Sequence, residues 1–144
     1  MAVILLLSGP SLNLLGEREP ELYGTATLDD LVGDARSVAE AHGHTLEHLQ
    51  TAREDGLVDA VRRGSTKYAG MVINAAHFTH TSASLAEAVA AFEGPTVEVH
   101  ITNPYAREEW RRVSMLSPVV TGTVAGFGRK GYRLALEALC ELLG

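Results

Sequence analysis

Three short polar stretches of this chain hold the side chains best suited to moving protons and gripping an anion. The first runs from Ser8-Gly-Pro-Ser-Leu-Asn13 on to Tyr23-Gly24, the second is Asn74-Ala-Ala-His-Phe-Thr-His-Thr-Ser82, and the third is His100-Ile-Thr-Asn-Pro-Tyr-Ala-Arg107. Histidine titrates near neutral pH and is the commonest general acid or base, so His80 and His100 are candidates for handling a proton or binding a substrate. Tyr23 is either a surface tyrosine in a loop or a base. A phenol ionises near pH 10, so holding it as phenolate at neutral pH takes roughly 4 kcal/mol of local stabilisation. Guanidinium groups have the right sign for that, and Arg18 lies close in sequence, in the glycine-bounded polar segment Gly16-Glu-Arg-Glu-Pro20. A segment of this kind between a strand and a helix can close over a site as a lid.

Ala106-Arg-Glu-Glu-Trp-Arg-Arg112 carries three more arginines. Arg107 and Arg111, one turn apart, would share a helix face. They are either solvated surface charges or a fork-shaped donor set for an anionic or polyhydroxylated substrate. His77, His80 and His100 could supply imidazoles to a metal, but no carboxylate or thiol stands beside them at ligand spacing, so no metal is expected. Gly126-Phe-Gly-Arg-Lys-Gly131 matches G-x-G-x-x-G. A dinucleotide site also needs a further strand and an acidic residue about twenty positions on, which the sequence does not present. These glycines are expected to let a last strand turn tightly into a last helix.

Such residues need elements to position them. Apolar runs of strand length occupy residues 2–8, 68–74, 95–101 and about 118–125, with a weaker one near 44–50. Near-continuous aliphatic and β-branched runs suit strands covered on both faces. Between them lie segments of helical period. Thr27 is an N-cap before Leu28-Asp-Asp30, with His42-Gly43 as the stop and Leu28, Leu31, Ala35 and Val38 on one face. Further helices fit Gly56 to about Arg63, Ser82 to about Phe92, and about Gly131 to Leu143. Strand and helix alternate five times, which predicts an α/β, three-layer doubly wound domain with a five-stranded parallel sheet spanning residues 1–144. In such a sheet ligands sit beyond the carboxyl ends of the strands, so the three polar stretches converge on one crevice.

The chain of 144 residues is 46% hydrophobic, the size of one domain, and its net charge of −6 gives no electrostatic footprint for nucleic acid. The run Ala2–Ser8 is too short to span a bilayer and lacks the basic lead of a signal peptide, so a cytoplasmic protein with no membrane partner is expected. Cys140, the one cysteine, sits among Leu136, Leu139, Leu142 and Leu143 and is expected to be a buried thiol.

The residues Gly9-Pro-x-Leu12-Asn13-Leu-Leu-Gly16, Arg18-Glu-Pro20, Tyr23-Gly24, Asn74, Thr79-His-Thr-Ser82, Val97-Glu-Val-His-Ile101, Asn103, Ala106-Arg-Glu-Glu109, Leu116-Ser-Pro118 and Gly131-Tyr132 resemble the signature blocks of the type II 3-dehydroquinate dehydratases, in family order over nearly the whole chain. The resemblance implies a flavodoxin-like fold and an anti elimination of water through an enolate, without metal or organic cofactor. It implies that Tyr23 takes the C2 proton of 3-dehydroquinate, with Arg18 and Arg107 favouring its phenolate, and that His100 protonates the leaving hydroxyl. Asn74, with the backbone of Ile101 and Thr102, would hold the carboxylate region of this cyclohexane carboxylate, and His80 and Arg111 would contact the ring hydroxyls. Glu87, in place of an aspartate, would approach the site of a neighbouring subunit in a homododecamer built as four trimers.

Several positions depart from the family pattern around the crevice, among them Ser11, His77, Pro104-Tyr105 and Ala52-Arg53. Ser11 stands where the family has an asparagine whose amide positions a water beside the tyrosine and the enolate, and His77 puts an imidazole where a small residue is usual. Three functions remain in competition: an active 3-dehydroquinate dehydratase, a diverged lyase acting on a related β-hydroxy ketone in specialised metabolism, and a catalytically weak or silent homologue retained for binding. The base and acid with their arginines favour the first. Ser11 and His77 favour the second.

Overall fold

The aliphatic run at the start of the chain is buried on both faces because helices cover both. In the computed structural model, which describes residues 1–17 and 19–144, the elements are β1 (Val3–Ser8), α1 (Pro20–Tyr23), α2 (Leu28–Ala41), β2 (Thr45–Gln50), α3 (Glu54–Gly64), β3 (Gly70–Asn74), α4 (Ala83–Ala91), β4 (Thr96–His100), β5 (Gly122–Ala125) and α5 (Lys130–Leu143). All strand pairs are parallel, in the order β2-β1-β3-β4-β5. This is the flavodoxin-like doubly wound order, in which the chain reverses direction across the sheet between β1 and β3. Ile4 and Leu6 point to the layer of α2 and α5, and Leu5 and Leu7 to the layer of α3 and α4. The period-2 alternation of a strand thus divides one aliphatic run between two cores.

The helices begin where local chemistry provides a cap. The Thr27 hydroxyl accepts from the Asp30 amide at 3.2 Å and the Asp30 carboxylate accepts from the Thr27 amide at 3.0 Å, a reciprocal capping box. Gly43 follows α2 at a φ of 80°, a left-handed turn that glycine adopts without a Cβ penalty. Leu28, Leu31, Ala35 and Val38 are all buried against the sheet. The Ser82 hydroxyl caps α4 through the Leu85 amide at 3.0 Å. Cys140 is buried on α5, and burial pushes its thiol up. Gly126 and Gly128, at φ of 93° and 60°, turn β5 into α5 as the glycine spacing predicts.

Element boundaries differ from expectation in two places. The run at 118–125 is not one strand: Ser117–Val119 forms a 3-10 turn with Pro118 in it, and only Gly122–Ala125 pairs with β4. Proline has no amide hydrogen for a ladder, so the strand starts beyond it. Ala106–Arg112 is not a continuous helix. It breaks into 3-10 turns at Pro104–Ala106 and Glu109–Arg112, with Arg107 extended between them at φ −113°, ψ −160°. Short helices have little stability of their own, and side-chain pairing inside the cleft decides the conformation here.

Candidate active site

A cavity of about 230 Å³ opens beyond the carboxyl ends of β1, β3 and β4, beside the reversal of strand order. The segments that line it are pressed together by Gly9: a Cβ there would lie 2.7 Å from the Ala75 carbonyl oxygen, so no larger residue lets the loops after β1 and β3 meet this closely. Tyr23, at the end of α1, and Arg107 both line the cavity and join there. Arg107 Nη1 donates to the Tyr23 hydroxyl at 2.8 Å and to Thr102 Oγ1 at 3.3 Å, and its guanidinium carbon lies 5.4 Å from the tyrosine ring centroid. Arg107 is thereby fixed between the end of α1 and the segment just past β4, with its positive charge on a phenol oxygen.

Alternation along β4 sends Val97 and Val99 into the layer of α2 and α5, and places Glu98 and His100 together on the opposite face. Glu98 Oε2 lies 2.7 Å from His100 Nε2. The same carboxylate accepts from Ser114 Oγ at 3.2 Å, Ser117 Oγ at 2.9 Å and Thr123 Oγ1 at 3.1 Å. Burial alone pushes Glu98 up, but the His100 ring with the Ser117 and Thr123 hydroxyls outweighs it, and the carboxyl is held below its usual range. An ionised carboxylate only accepts hydrogen bonds, so His100 carries hydrogen on Nε2 and keeps Nδ1 for the cleft. The His80 ring stacks near His100, with centroids 6.5 Å apart, and its Nδ1 lies 2.6 Å from the Val113 carbonyl, which fixes hydrogen on Nδ1 and leaves Nε2 an acceptor. Burial holds His80 below its ordinary value.

The remaining expected residues divide between cleft and surface. Asn74, Ile101, Thr102, Arg111, Ser11 and His77 all line the cavity. Arg111 is held by Glu108 at 3.0 Å and lies 4.2 Å over the Trp110 ring. Asn74 Oδ1 accepts from the Ala76 amide at 3.1 Å. Arg112 is exposed and lies outside the cavity lining, as does Glu87 on α4. Arg18 lies outside the described residues. The arrangement sets a tyrosine paired with a cation and a histidine of fixed tautomer around one cavity, with amide and guanidinium donors between them. Such a site can remove a proton at one position of a bound anion and deliver one at another.

The sequence profile described as dehydroquinase class II matches residues 2–140. The chain belongs to this family. Among class II dehydroquinases and their relatives, 3-dehydroquinate dehydratase 1 of Corynebacterium efficiens is 52% identical over 138 residues, covering 96% of this chain and 91% of its own length. 3-Dehydroquinate dehydratase 2 of Agrobacterium fabrum is 46% identical over 142 residues, covering 99% and 97%. The crystal structure of the type II dehydroquinase from Propionibacterium acnes superposes with a TM-score of 0.91 at 40% identity, covering 98% of this chain and 97% of that one.

Within this dehydroquinase, three contributors to the site escaped the sequence reading. Glu98 was seen only as part of a strand motif, although its place two residues before His100 puts both on one face. Trp110 lines the cavity as an aromatic shelf under Arg111. Tyr132, fully buried on α5, meets Asn74 from behind. No local spacing signals that last contact, because it joins elements 58 residues apart.

Proposed function

We propose that the chain is a 3-dehydroquinate dehydratase, a hydro-lyase that converts 3-dehydroquinate to 3-dehydroshikimate by anti elimination. The Tyr23–Arg107 contact facing the His100–Glu98 pair across one cavity carries this reading. Tyr23, as phenolate, takes the C2 proton, and the C–H electron pair passes into an enolate. Arg107 holds the charged oxygen, and Arg18 acts with it. The enolate then collapses, the C1–oxygen bond breaks, and His100, as an imidazolium with one hydrogen on Nε2 toward Glu98 and a second on Nδ1, gives the Nδ1 proton to the leaving hydroxyl, so that one water departs and the ring is left neutral. Glu98 keeps the opposite edge of the ring in register. Nothing is oxidised or reduced, and the step balances with protons alone. Asn74 and the backbone of Ile101 and Thr102 hold the substrate carboxylate, while His80 and Arg111 reach the ring hydroxyls. The similarity to relatives named as 3-dehydroquinate dehydratases supports this reading over a diverged lyase.

Tyr23→Phe keeps the ring and removes only the proton acceptor. Turnover, followed by the absorbance of the enone product, should fall by at least about 10³-fold while substrate still binds. A near-parental rate for Tyr23→Phe removes tyrosine from the base role.

The enzyme acts in the cytoplasm, as a homododecamer in which Glu87, exposed on α4, reaches a neighbouring subunit's site. Among the described residues no helix is long and apolar enough to cross a membrane. Sedimentation at micromolar concentration should give the dodecamer, and a monomer there refutes the assembly.

A further inference from the structure

Behind the floor of the cleft runs a hydrogen-bonded chain that the proton-transfer groups do not use. Ser8 and Asn74 end β1 and β3 and are paired in register, and their alternation with Leu6 and Val72 turns them toward α5. Tyr132, in the first turn of α5 and 0% exposed, sets its hydroxyl between them. Asn74 Nδ2 donates to that hydroxyl at 3.3 Å, the hydroxyl lies 3.3 Å from Ser8 Oγ, and Ser8 Oγ lies 3.0 Å from Nε2 of His48 on β2.

Counting hydrogens gives the chain a direction. Asn74 Oδ1 is occupied by the Ala76 amide, so the group facing Tyr132 is Nδ2, and it donates. The tyrosine oxygen accepts this bond and its own hydrogen passes to Ser8, whose hydrogen passes to Nε2 of a neutral His48. Each link then holds one hydrogen. The second N–H of Nδ2 remains for the cavity that Asn74 lines.

We infer that Tyr132 is a positioning residue of this enzyme: through Ser8 and His48 it locks the Asn74 amide so that the cleft is offered an N–H donor, the group that an anionic carboxylate needs. The inference rests on Asn74 holding the substrate carboxylate, as proposed above. It also couples the cleft to His48. A protonated His48 donates to Ser8, Ser8 then donates to Tyr132, and the tyrosine hydrogen finds an acceptor only if the amide turns its oxygen inward. That rotation places Nδ2 against the Ala76 N–H, donor against donor. β2 packs chiefly against β1 and α2. From β1, Ser8 faces His48; from α2, Arg36 disfavours its charge and Asp29 favours it. Burial, the largest influence, keeps the ring neutral below its ordinary value.

The test is steady-state kinetics of the full chain on 3-dehydroquinate. Tyr132→Phe keeps the buried ring and should raise KM roughly tenfold, with kcat within about twofold, the pattern of a lost ground-state binding contact. As pH falls below the ordinary histidine value of 6.5 and through the lowered value of His48, the parental KM should rise more than that of Tyr132→Phe, in which the chain is cut. His48→Gln, whose amide oxygen accepts from Ser8 without titrating, should flatten the same rise. Ser8→Ala removes the next link and should raise KM in the same sense, which keeps the inference testable if Tyr132→Phe does not fold. Asn74→Ala separates the two layers of the reading. An unchanged KM for Asn74→Ala overturns the carboxylate contact itself. A raised KM there, with parental values for folded Tyr132→Phe or Ser8→Ala, overturns the positioning role alone. So does a further KM increase from Tyr132→Phe in the Asn74→Ala background, because Tyr132 would then be acting by another route.

Discussion

Ser11 occupies the left-handed region at φ 66°, where a residue with a Cβ is disfavoured and asparagine is tolerated far better than serine. It caps the Leu12–Leu14 turn without a side-chain hydrogen bond. The backbone there is therefore shaped for an asparagine, and the serine brings neither its conformational ease nor its amide. Ser11→Asn should raise the rate on 3-dehydroquinate by about tenfold or more, the range for restoring one preorganised donor, and should raise the melting temperature slightly. His77 is exposed at the rim, so His77→Gly alone should change little. Activity on 3-dehydroquinate that emerges only in the Ser11→Asn, His77→Gly double variant would show the two positions acting as a unit on a remodelled pocket. At this scale the site was largely legible. Tyr23, His80, His100 and Arg107 each lie in a polar segment after a strand, where a doubly wound sheet concentrates its ligand contacts. The partners of Ser8, Glu98 and Tyr132 were not, because a polar residue inside a strand or helix reveals its partner only when the other elements are in place.

The elements were legible in proportion to their burial. β1 and β3 are covered on both faces and read as unbroken apolar runs, whereas β2 forms one edge of the sheet and buries only Leu46. Its weak signal reflects that edge position. The helical reading of Ala106–Arg112 failed because the segment follows the demands of its side chains: Arg107 turns in to Tyr23, and Glu108 contacts both Arg107, at 3.7 Å, and Arg111. The contact of the loops after β1 and β3 is a sensitive junction between elements. Gly9→Ala would drive a methyl group to within 2.8 Å of the Ala75 carbonyl carbon as well as its oxygen. It should lower stability by about 1–3 kcal/mol, as overpacking does, and weaken substrate binding, because Ala75 follows Asn74 directly. A chemical-denaturation midpoint and KM measured together check both.

For the stability of the molecule as a whole, pH acts through its buried titratable groups. His48 and His80 are both held below the ordinary value of 6.5, mainly by burial. The unfolded chain takes up those protons more readily, so the stability that depends on neutral rings is complete above about pH 6.5 and is lost as pH falls through their lowered values. The melting temperature should decline between about pH 7 and pH 5, and His80→Gln should reduce that slope. Glu98 acts in a lower window. Its depressed carboxyl contributes stability above the usual range near 4.5, lost as pH falls through its folded value. Ser114 and Ser117, two of the hydroxyls that grip it, belong to the irregular stretch between β4 and β5 that also carries Arg107, Trp110 and Arg111. That stretch is organised around a buried negative charge. The carboxylate is thus a fastener as well as a partner for His100, and its protonation in acid would release a wall of the cleft from the strand to which it is pinned.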